Sequence, residues 1–358
     1  MSLSIGIVGL PNVGKSTLFN ALTRSKQANA QNYPFCTIDP NVGVVEVPDD
    51  RLIKLAEVSK SQKIIPTTIK FVDIAGLVAG ASKGEGLGNQ FLSHIREVDA
   101  IVQVVRAFKD SNVIHVNNRV DPKDDAAVIN LELVLADLQT VTKRLETVKK
   151  NAKGLAVKDS KKTIELLDKI YNQLESGRLA RSLEYTQEEL VNLEDLHLLT
   201  MKPMLYVINV DEKSEEEMLE QVSPDASQIV ICAKLEEELA ELSSEEAVAY
   251  LKELGIKESG LDKLIKSGYK LLNLITFLTS GEPETRAWTV RCGAKAPEAA
   301  GVIHTDFVKG FIKADVVNCE DFITCGGWNK IKETGKMRME GKDYVVRDGD
   351  VVYFHVST

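Results

Sequence analysis

Residues 9–17 read GLPNVGKST and match the pattern G-x-x-x-x-G-K-[ST] at every fixed position. The apolar residues 5–9 before them predict a strand, and residues 15–24 predict a helix. A strand, a glycine-rich loop and a helix in this order bind phosphate, because main-chain N–H groups at the start of the helix face the anion. This stretch therefore predicts a P-loop nucleotide hydrolase that acts on a nucleoside triphosphate.

The chemistry of the loop assigns a role to each of its polar residues. Lys15 is expected to be catalytic, since its ammonium would neutralise the β and γ oxygens, and the Ser16 hydroxyl is expected to ligate Mg²⁺. The loop residues expected to bind the nucleotide are Asn12, Val13, Gly14, Lys15, Ser16 and Thr17.

A second acidic motif follows an apolar strand predicted at residues 69–73. Its residues 73–76 read DIAG. We expect Asp73 to hold the magnesium ion and the Gly76 amide to sense the γ-phosphate, which makes Gly76 a catalytic candidate. Thr37, between the P-loop helix and this strand, is the candidate switch threonine that also reaches the metal.

Leu77 stands where small GTP-binding switch proteins place a glutamine that orients the attacking water. An apolar side chain cannot do this, so either hydrolysis is slow until a partner helps or another group takes the role. His115 is the catalytic candidate for that role. We expect a turnover below the enzyme median of about 10 per second. The histidines expected to be structural are His94, His197, His304 and His355.

Two further stretches resemble base-binding motifs of GTP-binding proteins. Asn209 and Glu212 occupy the ends of N-V-D-E, where those proteins carry N-K-x-D, and the sequence Cys232-Ala233-Lys234 resembles the S-A-K loop. These five residues are expected to bind the nucleotide. Glutamate is one methylene longer than aspartate, so its carboxylate cannot occupy the position from which aspartate accepts hydrogen bonds from guanine. The spacing leaves open whether adenine is selected or guanine is merely not selected.

Alternating apolar strands and helical segments in the first third of the chain indicate an α/β fold. Apolar residues then recur at spacings of three and four over 131–145 and 164–174, which predicts two long helices packed as an antiparallel hairpin. The strand pattern resumes at 204–209 and ends in a helix predicted over 261–278. The hairpin is therefore predicted to be an insertion into the nucleotide domain.

Composition and charge narrow the class of protein further. The 358 residues predict two or three domains, and a net charge of −9 argues against attraction of the whole surface to nucleic acid or anionic lipid. Residues 143–162 are a local exception, with eight basic residues against two acidic ones, a balance of +6. This basic end of the hairpin is either a solvated helix face or a docking surface for a polyanion.

The cysteines and the hydropathy pattern indicate the compartment. Five scattered cysteines without a C-x-x-C pair argue against a disulfide framework and against a zinc site. No apolar run reaches the length of a membrane span, and the N-terminus leads straight into a strand. We therefore expect a cytoplasmic protein with no membrane partner.

Several of these stretches together resemble the YchF (Obg-like ATPase) family of translation-factor-related P-loop proteins. They are residues 9–17, NYPFCT at 32–37, DIAGLV at 73–78, the glycine-rich run 84–88 and HTDFVKGF at 304–311. The last of these looks like the TGS module of that family. The resemblance covers essentially the full chain.

The resemblance implies a G-domain-like sheet with two additions. Residues 1–124 and 201–280 would form the nucleotide domain, residues 125–200 an inserted helical coiled-coil arm, and residues 281–358 a C-terminal β-grasp (TGS) domain. It also implies a preference for ATP through Asn209 and Glu212, a hydrophobic replacement of the catalytic glutamine by Leu77, association with the ribosome and links to stress response.

The function expected from all of this is magnesium-dependent hydrolysis of ATP to ADP and phosphate by a nucleotide-state switch. The expected partner is the ribosome or ribosomal RNA, met through the basic residues 143–162, and the protein is expected to be a monomer. A GTPase switch that acts on a protein partner is the alternative. Glu212 favours the ATPase.

Overall fold

The structure, a computed structural model, describes residues 3–26, 41–76, 87–110, 119–151, 157–212 and 220–357. The chain divides into two compact units. The first unit consists of Met1–Ser25, Ile38–Gly43 and Lys70–Leu261, and the second of Lys26–Thr37, Val44–Ile69 and Asp262–Thr358. The domain limits at residues 124, 200 and 280 stay a prediction.

Strands and helices alternate through the first part of the chain. The strands are β1 (Ser4–Gly9), β2 (Val42–Glu46), β3 (Ile64–Ile65), β4 (Thr68–Asp73), β5 (Ala100–Arg106), β6 (Met204–Asn209), β7 (Ser227–Ile231), β8 (Leu274–Ser280), β9 (Thr285–Arg291), β10 (Phe311–Asn318), β11 (Arg338–Glu340) and β12 (Asp350–Val356).

Helices of very different length connect these strands. They are α1 (Lys15–Lys26), α2 (Asp50–Ser59), α3 (Leu87–Glu97), α4 (Pro122–Asn151), α5 (Val157–Glu175), α6 (Gln187–Leu193), α7 (Ala233–Leu239), α8 (Ser244–Glu253), α9 (Gly260–Leu271), α10 (Ala296–Ile303), α11 (Phe307–Gly310), α12 (Cys319–Cys325) and α13 (Trp328–Thr334), with 3₁₀ turns at Ala180–Ser182, Glu194–Leu196 and Leu199–Met201.

The first sheet has the strand order β2-β4-β1-β5-β6-β7 and confirms the predicted α/β fold. The pairs from β4 to β7 are all parallel. β5 and β6 are buried along their whole length, as central parallel strands covered on both faces must be. Because the carboxyl ends of parallel strands lie at one edge, the loops that follow β1, β4, β5 and β6 meet there. That edge carries the predicted site.

The two long helices α4 and α5 pack against each other and share a core that includes Val134, Val141 and Ile170. Leu145 and Leu138 of the predicted apolar stripe lie in or against this core. The prediction for Leu131 is wrong, since that residue is 51% exposed. The reason is that α4 packs on the first sheet near its start, where the Asn130 amide donates to the Tyr206 hydroxyl at 2.8 Å, so another face of the helix is buried there.

A buried carboxylate joins α4 to the residues that lead into β6. Asp137 is 1% exposed. Its oxygens accept hydrogen bonds from the Leu199 amide at 2.9 Å, the Thr200 amide at 2.7 Å and the Thr200 hydroxyl at 2.6 Å. Burial raises the pKa of Asp137, while these three bonds act in the opposite direction. The base of the hairpin is therefore fixed by a fully engaged acidic group.

The second unit is built on a mixed sheet with the strand order β11-β10-β12-β8-β9-β3. The pairs β8–β9 and β10–β12 are antiparallel, and β12–β8 and β3–β9 are parallel. One apolar cluster lies between this sheet and α10, and a second cluster contains residues of α2, α12 and α13. Helix α2 comes early in the chain, so residues 44–69 help to build the core of the C-terminal part.

The helix predicted over 261–278 is wrong in its second half. Helix α9 ends at Leu271, Asn273 takes the left-handed conformation with φ 55°, and β8 begins at Leu274. Residues 274–280 read LITFLTS, whose β-branched residues favour a strand. Pairing with β9 and β12 decides between the two structures, because the strand gains main-chain hydrogen bonds that a helical extension would lose.

Membrane insertion through a helix has no support in the described ranges. None of the helices there is both long enough and apolar enough to cross a bilayer.

We predict that Asp137→Ala destabilises the first unit by at least about 2 kcal/mol, because it leaves three buried donors without their acceptor. The measurement is the shift of the urea unfolding midpoint. Asp168→Ala is the control, since Asp168 pairs with Lys149 at 3.2 Å on the surface and such pairs contribute less than about 1 kcal/mol. A midpoint shift no larger than that of the control would contradict the prediction.

Candidate nucleotide-binding site

The predicted P-loop connects β1 to α1 in a conformation that only certain residues can adopt. Asn12 has φ 65° and Gly14 has φ 90°, both in the left-handed region. A Cβ atom on Gly14 would lie 2.1 Å from Nδ2 of Asn209, so this position requires glycine for space as well as for conformation. Helix α1 starts at once at Lys15, and its first N–H groups are therefore available to an anion.

Lys15 and Asp73 meet beside the loop. The Lys15 ammonium donates a hydrogen bond to Oδ1 of Asp73, and the two side chains are only 10% and 19% exposed. Asp73 is held there by the end of β4, where its amide donates to the Asn41 carbonyl at 2.8 Å and the next amide, of Ile74, donates to the Ile7 carbonyl at 3.1 Å. Two residues that are far apart in sequence thus place opposite charges at one end of the sheet.

The remaining predicted phosphate-site residues lie around this pair. A Cβ atom on Gly76 would lie 3.4 Å from the Gly9 carbonyl oxygen, which places Gly76 against the start of the P-loop. Ser16 is exposed on the first turn of α1. One cleft of about 1070 Å³ is lined by Asn12, Gly14, Lys15, Ser16, Thr17, Asp73 and Gly76. Val13, also predicted to bind the nucleotide, is fully buried and lies outside this lining. His94, expected to be structural, lines the same cleft.

The donor atoms suit a magnesium ion. A hydroxyl from Ser16 and a carboxylate from Asp73 are hard oxygen ligands, and Mg²⁺ in nucleotide sites takes one or two protein ligands together with phosphate oxygens. Across the described ranges there is no cluster of three or more His, Cys, Asp or Glu that could hold a metal by protein atoms alone. The Ser16 hydroxyl and the Asp73 carboxylate fit a metal whose other ligands are phosphate oxygens.

Asn209 ties the phosphate loop to the loop after β7. It is 5% exposed, its Nδ2 donates to the Val13 carbonyl at 2.9 Å, and its Oδ1 accepts from the Ala233 amide at 3.0 Å. Both polar ends of the amide thus bond to main chain. The side-chain NH₂ of Asn209 carries a second hydrogen, which it can donate to a ligand. The Ala233 amide is engaged inside the protein.

A second cleft of about 560 Å³ lies beside the first. Its lining includes the predicted base-site residues Asn209, Glu212, Cys232, Ala233 and Lys234. Gly14, Thr17 and Phe108 line both clefts. The predicted phosphate residues and the predicted base residues therefore line two adjoining clefts that share these three residues.

Glu212 makes an ion pair within the second cleft. Its Oε1 lies 2.9 Å from the Lys234 ammonium, which also lies 3.9 Å from Oε1 of Glu238. These side chains are about half exposed or more, so the pair adds little stability, but it occupies the carboxylate that would have to read a guanine. Burial raises the pKa of the nearby Cys232 thiol, which keeps it protonated at neutral pH.

The wall formed by residues 108–110 is the part of the site that the motifs missed. Phe108 is half-buried and lines both clefts, and the Lys109 amide donates to Oδ2 of Asp211 at 3.2 Å. The available signal was positional: these residues follow β5, next to the strand that carries the P-loop, at the edge where ligands of parallel sheets bind.

Three predicted residues lie outside the described ranges. They are Thr37, the candidate switch threonine, Leu77, the residue in place of a catalytic glutamine, and His115, the candidate water-positioning group. Their expected roles stay predictions.

Comparisons with known proteins agree over the full length. A family model described as 50S ribosome-binding GTPase matches residues 4–135, and the YchF-GTPase_C model, described as a protein of unknown function, matches residues 274–357. The ribosome-binding ATPase YchF of Bacillus subtilis is 57% identical over 367 aligned residues, with 100% of each chain covered. The protein of the same name from Escherichia coli O157:H7 is 53% identical, with 99% of each chain covered.

A solved structure is also similar over nearly its whole length. The YchF GTPase of Schizosaccharomyces pombe is 41% identical, has a TM-score of 0.88, and is matched over 99% of the present chain and 98% of its own.

Proposed function

Because this chain belongs to the YchF family, we propose that it is a ribosome-associated P-loop ATPase that acts as a nucleotide-state switch. The observation that carries the proposal is the pair of adjoining clefts in the first unit, which share three lining residues. They join a complete P-loop and the Lys15–Asp73 pair at one end to Glu212 and Lys234 at the other. A nucleoside triphosphate has the same division into an anionic end and a planar end.

At the phosphate end, the residues bind and orient the triphosphate. The main-chain N–H groups of the loop and of the first turn of α1 would contact its oxygens, and the Lys15 ammonium would neutralise the β and γ oxygens. The Gly76 amide, which follows β4 beside the start of the P-loop, would sense whether a γ-phosphate is present. Slow hydrolysis stays an expectation from Leu77, the residue in place of the catalytic glutamine.

We propose that Ser16 and Asp73 hold Mg²⁺, with Thr37 as a further candidate. The ion would supply positive charge that stabilises the charge developing on the phosphate oxygens. Lys15 keeps the Asp73 carboxylate oriented toward the phosphate end.

The names of the related proteins disagree about which nucleotide is hydrolysed. The curated relatives are named ATPases, whereas the N-terminal family model and the solved structure carry GTPase in their names. The length of the Glu212 side chain supports ATP, because its carboxylate does not take the position from which an aspartate accepts from the two N–H donors of guanine. Adenine lacks these donors on that edge, so it does not need a carboxylate in that position.

Ribosome association is proposed from the full-length relatives, and the cytoplasm is the location that it implies. The predicted contact through residues 143–162 needs one refinement. Several of their basic residues have acidic partners elsewhere in the arm: Arg144 with Asp195 at 2.7 Å, Lys149 with Asp168 at 3.2 Å, and Lys162 with Glu188 at 3.3 Å. We therefore assign any RNA contact first to the exposed Lys143 and Lys150. The monomeric state stays a prediction.

We predict that Lys15→Ala abolishes hydrolysis and weakens triphosphate binding, because it removes the charge that meets the β and γ oxygens. Phosphate release and ATP titration measure the two effects. Lys70→Ala is the matched control: Lys70 lines the same cleft but pairs in register with Ser4, at the opposite end of β1 from the P-loop. Hydrolysis by Lys15→Ala at the parent rate would show that the phosphate site lies elsewhere.

We predict that ATP binds more tightly than GTP to the nucleotide-free protein with magnesium present, and that Glu212→Asp raises affinity for GTP. Glu212 is about half exposed, so a gained hydrogen bond should contribute about 0.5–1.5 kcal/mol, which is about a 2- to 13-fold change. Competition binding measures it, and Glu212→Gln is the control that keeps the length and removes the charge. Tighter GTP binding by the parent would overturn the assignment, and no response to Glu212→Asp would locate selectivity elsewhere.

We predict that the double variant Lys143→Glu, Lys150→Glu binds ribosomes more weakly and with a flatter dependence on salt. Each neutralised duplex phosphate contributes a slope of about −0.9 in log affinity against log salt. Co-sedimentation with ribosomes over a salt series, with and without a non-hydrolysable ATP analogue, is the measurement. Lys252→Glu, Lys257→Glu makes the same charge change outside the arm and should leave the slope unchanged. Equal behaviour of the two double variants would leave the basic residues as a solvated face.

A further inference from the structure

Arg106 is an unusual residue for the end of a central strand. It closes β5, it is 2% exposed, and it is among the largest fully buried side chains in the described ranges. Burial of a guanidinium is costly unless its donors are satisfied, so an apolar residue would be the ordinary choice here. The contacts of Arg106 show what the charged side chain does instead.

The guanidinium donates to main-chain carbonyls on two different segments. Nε bonds to the Phe108 carbonyl at 3.1 Å, Nη2 to the Asp110 carbonyl at 3.2 Å, and Nη1 reaches the Asn12 carbonyl at 3.5 Å. The first two carbonyls belong to the cleft wall, and the third belongs to the P-loop. The planar fork therefore joins the wall to the loop.

The same group also supports an aromatic ring. The central carbon of the guanidinium lies 4.2 Å from the centre of the Phe108 ring, a cation–π distance. The main chain is fixed from the other side, since the Ala107 and Phe108 amides donate to the Asn209 carbonyl at 2.8 and 3.1 Å. The Phe108 residue is thus held by both its ring and its main chain where the two clefts meet.

We propose that Arg106 is a positioning residue for the base end of the nucleotide, acting through Phe108 and the 108–110 wall. The proposal rests on the assignment of the second cleft as the base site. Lysine could not replace arginine in this role, because a single ammonium cannot reach three carbonyls in different directions while lying flat against a ring. The effect of Arg106 should therefore depend on whether the ligand has a base.

The test compares two ligands in the full-length protein. Affinities for ATP and for inorganic tripolyphosphate, both with magnesium, are measured for the parent and for Arg106→Lys, with melting temperatures to confirm folding. We expect Arg106→Lys to weaken ATP about tenfold, as the loss of hydrogen bonds to the wall implies. Tripolyphosphate should weaken less than about threefold, because the contact with the P-loop, at 3.5 Å, is the longest of the three. A general loosening of the fold would weaken both ligands equally.

Two further variants separate positioning from a structural role. Arg181→Lys is the matched control, because Arg181 is another largely buried arginine of the first unit, paired with Asp225 at 2.8 Å away from both clefts. It should lower the melting temperature without changing the ratio of the two affinities. In a Phe108→Leu background, Arg106→Lys should cost less ATP affinity than in the parent, since the ring it supports is gone.

The outcomes test the base-site assignment and the positioning role of Arg106 separately. If the parent binds ATP no better than tripolyphosphate, the base-site assignment fails. If the parent binds ATP more tightly than tripolyphosphate and Arg106→Lys weakens both ligands by the same factor, the ratio of the two affinities is unchanged. In that case the positioning role of Arg106 is wrong while the base site stands. A changed ratio that Phe108→Leu suppresses supports the proposal.

Discussion

The buried amide of Asn209 is the contact on which the arrangement of the site depends. It bonds the Val13 carbonyl of the P-loop and the Ala233 amide of the loop after β7, while the Asn209 carbonyl accepts from the wall after β5. One residue therefore sets the spacing of three loops. The close approach is possible because Gly14 has no side chain to fill the space that Nδ2 occupies. Buried hydrogen bonds of this kind are rigid because breaking one leaves an unpaired donor or acceptor inside the protein.

The two adjoining clefts contain lysine–carboxylate pairs of different kinds. Lys15 and Asp73 are largely screened from water, so their mutual orientation is strongly determined. Glu212 and Lys234 are exposed, and such a pair adds little free energy. The cleft around the P-loop is thus preorganised by charge, whereas the geometry of the second cleft depends on its shape and on the position of Phe108.

The helical arm combines a rigid base with a charged end. The buried Asp137 fixes α4 to residues 199 and 200. Near the end of the hairpin, Arg144, Lys149 and Lys162 are instead paired with acidic residues of a 3₁₀ turn, α5 and α6. A count of charges along residues 143–162 alone misses these partners. The charge available to a polyanion is therefore set by residues that are distant in sequence.

The sequence by itself determined the parts of the site that depend on neighbouring residues: the P-loop, the acidic end of β4, and the replacement of aspartate by Glu212. It also determined the α/β fold and the two long helices, because their periodicity is local. Only the tertiary structure decided that residues 274–280 form a strand, that residues 44–69 join the second unit, and that Leu131 faces solvent. Arg106 and Phe108 belong to this second group. Their roles come from carbonyls and strands brought together by folding, and no local pattern encodes which distant partner will complete a hydrogen bond or cover an apolar face.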